Sequence, residues 1–192
     1  LITRGTLARI FFFSESAIFI QIGLLITQIV LVLSLNAAIR HLSKGVCTAL
    51  FFTYAAITGV TFGVIPLAYE VGTVFQAILF VSCAVIGHVT NVDLTKYSGI
   101  LFGGLIALLI ASILSIFIPV LRNNLLIAYL GLFIFMIYTA FDIQRIKQFY
   151  YMAVNGEEER EKLAIYGALQ LYLDFVNMFL YLLRILGSRR RR

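Results

Sequence analysis

Six apolar runs dominate this chain, over about 17–39, 46–68, 73–89, 98–118, 125–143 and 163–186. A helix rising ~1.5 Å per residue needs about 20 apolar residues to cross ~30 Å of hydrocarbon, and these runs have that length. The first four carry no charged residue at all. Across the 192 residues, 61% are hydrophobic and only 12% charged, with a mean hydropathy of +1.00. A soluble domain of this size needs far more charge to cover its surface. The expected fold class is therefore all-α: a polytopic transmembrane helix bundle with six spans, forming one integral membrane domain over 1–192. The short alternating strands of an outer-membrane barrel are absent from the sequence.

Polar punctuation separates the runs. Ser14, Glu15 and Ser16 precede the first, and Arg40, His41 and Lys44 follow it. Glu70 and Gly72 mark a turn, HVTNVDLTKYSG a loop, and Pro119 with Arg122, Asn123 and Asn124 another turn. Residues 148–162 form the one sizeable hydrophilic stretch, centred on NGEEEREK. In the internal loops Arg40, Lys44, Lys96, Arg145, Lys147, Arg160 and Lys162 fall on one side against Arg122 on the other, which points the first side to the cytoplasm. The terminal Arg189–Arg192 counts the other way and supplies four of the net +6 charges. Directly after an apolar helix, that cluster reads as a stop-transfer flank or a lipid-headgroup contact, not a nucleic-acid site. The bilayer is the expected partner, and no nucleic acid is expected.

Two acids interrupt the apolar pattern: Asp142 in IYTAFDIQRIK and Asp174 in LQLYLDFVNMFLYLLRILG. A carboxylate at such depth is costly and marks a functional site with a partner to be named. Asp142 lies near the end of the fifth run, and, counted from the polar loop centre NGEEEREK, Asp174 lies a similar distance into the other arm. A helical hairpin thus brings both to similar depth. Two carboxylates in contact in a low dielectric cannot both ionise cheaply, so the pair is expected to share one proton and titrate as a unit. The plainer alternative is that each Asp bonds a neighbouring helix on its own.

Other polar groups gather around the pair. Asn177 follows Asp174 at i+3 on the same helix face, with Gln170 and Tyr172 nearby. Such a stripe belongs in a cavity or bundle centre. Arg40 or His41, at the same membrane face as Asp142, is an available latch for a carboxylate, although a solvated basic flank explains them equally well. His88 and Glu15 read as interfacial. Cys47 and Cys83 lie in apolar runs with no CxxC or histidine at metal-ligand spacing, so they read as small buried hydrophobes.

The segments FFTYAAITGVTF, NVDLTKYSGILF, TAFDIQRIK and GALQLYLDFVNMFLYLLRILG resemble the Bax inhibitor-motif family, in order and spacing, from about Phe13 to Gly187. That resemblance implies a family fold of seven spans with a central last helix, against six clear spans in this chain. It places the family's paired aspartates on Asp142 and Asp174, and a latching basic residue at Arg40 or His41. For bacterial members it implies residence in the inner membrane and a pH-sensitive calcium leak.

Three functions compete. A cation leak would use Asp142, Asp174 and Asn177 as sensor and ion path, with Asp142 and Asp174 as weak, transient Ca²⁺ ligands. Calcium prefers about 6–8 oxygens, so so few hold it loosely enough to let it leave. No resident cofactor is expected; Ca²⁺ and protons are the travelling ions. Alternatively the protein modulates a membrane protease or a stress or cell-death factor through a membrane-protein contact and transports nothing. An intramembrane aspartyl protease also uses two aspartates on neighbouring spans, but FD and LD here replace its YD and GxGD, and no PAL follows. A serine protease reading fails because no nucleophile motif pairs with an intramembrane histidine. No enzymatic activity is expected.

Overall fold

The computed structural model describes residues 17–38, 41–62, 70–122, 124–152 and 156–189. Among these residues every regular element is helical: α1 (Ala17–Ala38), α2 (Lys44–Phe62), α3 (Glu70–Val89), a 3₁₀ turn (Leu94–Tyr97), α4 (Ser98–Phe117), α5 (Pro119–Arg122), α6 (Leu125–Met152) and α7 (Glu157–Arg189). They fall into two compact units, Leu1–Ala68 and Tyr69–Arg192.

In the first unit α1 packs on α2. Gln28 Nε2 donates to Thr61 Oγ1 at 3.1 Å, and Leu35 and Cys47 are buried. The hydroxyls of Thr48, Thr53, Thr58 and Thr61 each donate to the carbonyl four residues back, which satisfies them within their own helix. The end of the expected second span, 63–68, lies outside the described residues.

In the second unit α3, α4 and α7 all pack on α6. Leu108, Phe135 and Met178 form a core where α4, α6 and α7 converge, flanked by Leu79 and Phe80 of α3. Outward faces are strongly apolar: Ile100 is 75% exposed and Phe117 76%. Such surface suits lipid, not water. Leu94–Ser115, Leu125–Tyr151 and Glu157–Gly187 are each long and apolar enough to cross a membrane, and Ile22–Ala37 and Val74–Val89 are shorter apolar helices.

Local chemistry sets the helix ends. Pro119 opens α5, where its missing N–H is harmless. Asn124 Oδ1 accepts from Leu126 N at 2.9 Å and caps α6. Gly156, at φ 101°, turns the chain into α7. The hydrophilic 148–162 stretch is mostly helical: α6 runs on to Met152 and α7 begins at Glu157, six residues before the apolar run. Three glutamates in that first turn sit favourably at the helix N-terminus, and Glu158 pairs with Lys162 at 3.1 Å.

Candidate functional site

Helical periodicity defines the interior of the second unit. Buried positions on α6 recur at Ala128, Gly131, Phe135, Thr139 and Asp142, and on α7 at Gly167, Asp174, Met178, Leu182 and Ile185. These are i, i+3, i+4 stripes, and both aspartates lie on them. Asp142 is 5% exposed and Asp174 4%.

The register between the two helices follows from side-chain contacts. Thr139 Oγ1 meets Met178 Sδ at 3.4 Å. A Cβ on Gly131 would lie inside the Tyr181 ring, and one on Gly167 would lie 2.8 Å from Ile146 Cγ1. Numbers rise along α6 as they fall along α7, so the helices are antiparallel and pack closely at small residues. Asp142 is three residues beyond Thr139 and Asp174 four before Met178. Both therefore stand about one turn from that contact, towards the same end.

Asp174 Oδ2 is buried and no donor reaches it. Arg145 lies one turn beyond Asp142, and its guanidinium sits over the Phe149 ring at 5.1 Å from the centroid. Asn177 Nδ2 donates to Leu173 O at 2.8 Å, so its amide nitrogen is turned onto its own helix. Arg40 lies outside the described residues. His41 is exposed and belongs to the first unit, whereas Asp142 and Asp174 belong to the second. His88 is exposed at the end of α3, where its carbonyl accepts from Lys147 Nζ at 3.5 Å. Cys47 and Cys83 are buried free thiols. Among the described residues no three His, Cys, Asp or Glu side chains gather to hold a metal.

Two neighbours of the pair escape a reading of the sequence. Tyr138 sits one turn before Asp142, packed against Phe135 and Phe141, and its i−4 spacing was a usable signal. Gln76 reaches α7 from α3 with nothing in the sequence to announce it.

A hollow of about 260 Å³ opens at the α3–α6 rim, lined by His88, Asn91, Asp93, Gln144, Lys147 and Tyr151 among others. Gln144 ties the loop there: it accepts from Leu94 N at 2.9 Å and donates to Val92 O at 2.8 Å. The Thr95 hydroxyl beside Asp93 holds its carboxyl below the usual carboxylate range, helped by the Thr95 amide and the Lys96 charge.

Apolar helices facing outward around two buried carboxylates define a helical integral membrane protein with a polar interior. The chain matches the family described as inhibitor of apoptosis-promoting Bax1 over residues 1–191, and it belongs to that family. It is 38% identical over 183 residues to a protein of Borreliella burgdorferi, covering 93% of this chain and 78% of that one. It is 37% identical over 175 residues to the inner membrane protein YbhL of Escherichia coli K12, covering 88% and 75%. A membrane protein of Streptococcus pyogenes serotype M3 is 35% identical over 173 residues, covering 88% and 74%. The chain is an integral protein of the bacterial inner membrane.

Proposed function

We propose that the protein is a pH-sensitive cation leak in which protons and Ca²⁺ compete for the Asp142–Asp174 pair. The observation that carries this reading is the burial of two carboxylates at one level of adjoining antiparallel helices. In a bilayer interior such a pair is stable only with a proton or a cation to offset its charge. Two carboxylates with a few carbonyls, the Asn177 amide oxygen among them, form a sparse oxygen set for calcium. Sparse ligation favours release, as conduction requires. The hollow at the α3–α6 rim is the mouth of the path. The pair works by binding and release, not by catalysis.

Ca²⁺ flux into proteoliposomes, measured across a pH series for wild type and Asp174→Asn, tests this. The variant should lose the pH dependence. Equal, equally pH-dependent flux in both proteins overturns the mechanism. The description of the family favours a second reading, contact with a cell-death factor. A protein with both aspartates changed to asparagine that still binds its partner, beside a wild type without flux, supports that reading instead.

A further inference from the structure

Among the described residues, two buried side-chain oxygens or nitrogens lack a hydrogen-bond partner: Gln76 Oε1 and Asp174 Oδ2. We propose that these two oxygens belong to one cation-binding position between α3 and α7, with Gln76 as a ligand that the aspartate pair alone does not supply. The proposal takes the identity of the cation, Ca²⁺, from the leak reading and otherwise rests on the packing of α3 against α7.

The inner stripe of α3 runs Gln76, Phe80, Cys83 and Gly87, again at i, i+4, i+7 spacing. Gln76 is fully buried, and its Nε2 donates to Phe175 O at 3.2 Å. The Phe80 and Phe175 rings meet edge to face at 5.3 Å, which fixes the two helices at that level. The Gln76 head group thus lies beside the residue that follows Asp174.

Its orientation is settled by chemistry. A backbone carbonyl only accepts, so the amide nitrogen must face Phe175 O. A flipped amide would set two acceptors against each other. Oε1 is therefore the free end, a second unpartnered acceptor at the level of Asp174.

Buried acceptors are normally matched by donors. Among the described residues, three cationic side chains of these helices are engaged elsewhere. Arg184 Nη2 donates to Leu121 O at 2.7 Å, Lys147 Nζ to His88 O at 3.5 Å, and the Arg145 guanidinium lies over Phe149. The Thr139 hydroxyl is taken by Phe135 O at 2.9 Å. What the two oxygens lack is a guest of positive charge. A carboxylate with a carboxamide oxygen is a hard donor set, suited to Ca²⁺ and not to soft metals.

Thermal unfolding of the purified full chain in detergent, titrated with CaCl₂ at constant ionic strength, tests the site. Wild type should gain Tm with CaCl₂. Gln76→Leu should weaken the apparent affinity by about tenfold, equivalent to about 1.4 kcal/mol. Gln76→Glu, which keeps an oxygen and adds charge, should strengthen it. An identical CaCl₂ response in wild type and Gln76→Leu, or no response in wild type, overturns the proposal. If Gln76→Leu does not fold, Gln76→Glu decides: an unchanged or weaker response overturns it. Flux through proteoliposomes separates the two readings. A CaCl₂ response that depends on Gln76, without Ca²⁺ flux, supports the site and ends the leak. Flux in a protein whose CaCl₂ response ignores Gln76 does the reverse.

Discussion

Gly87 of α3 packs directly against the α6 backbone at Ala140, and replacing it with alanine tests the helix packing around Asp142. An added Cβ would lie 2.6 Å from Ala140 Cα and 2.8 Å from Ala140 C, and closer still to the Ala140 carbonyl oxygen. Those atoms are backbone, so no rotamer change relieves the clash and α3 must move away. Overpacking of this kind costs about 1–3 kcal/mol. Alanine also has a helix propensity advantage over glycine of about 0.8–1.0 kcal/mol, which partly masks the clash. Gly103 on α4 provides the control, because a Cβ there meets nothing within 4 Å. Both variants gain the same propensity, so the difference between them isolates the clash: Gly87→Ala should be less stable than Gly103→Ala by about 1–3 kcal/mol. Unfolding in mixed micelles of increasing SDS can be followed with a thiol-reactive dye, since Cys47 and Cys83 are both buried until the fold opens. Equal stability of the two variants would refute the close approach of α3 to α6.

Two further predictions concern the loop at the α3–α6 rim. Gln144→Leu removes the bonds to Leu94 N and Val92 O, worth about 1 kcal/mol each. Amide exchange at Leu94 should then speed up by about 5–30-fold, and an unchanged rate would show that Gln144 does not hold the loop. Asp93 has a lowered carboxyl pKa in the folded loop. Its stabilising effect is therefore complete above the ordinary unfolded value of ~3.9 and is lost as pH falls through the lower folded value. Exchange at Thr95 should rise over that acidic window in wild type but not in Asp93→Asn, and parallel profiles would contradict the assignment.

The two acids stand out in the sequence because each interrupts an apolar run of one hairpin. In the structure Asp142 and Asp174 are buried on the inner stripes of α6 and α7. Gln76 was not legible. It meets α7 across 99 residues of sequence, and a lone glutamine in an apolar run carries no sign of which helix it will touch. The start of α7 at Glu157 was also hidden. Hydropathy marks where a helix enters the apolar layer, whereas the capping charge of Glu157, Glu158 and Glu159 decides where the helix itself begins. Arg40 and His41 gained nothing from the structure, the first lying outside the described residues and the second in the other unit.

The two glycine contacts between α6 and α7 restrict how these helices can move. Tyr181 seats in the notch left by Gly131, and Ile146 in the notch left by Gly167, near opposite ends of the shared face. A piston stroke of one helix along the other would have to lift both pegs out at once. Rocking about either peg leaves that peg seated, so any opening around Asp142 and Asp174 is a tilt or a splay, and the two acids part sideways instead of sliding past each other.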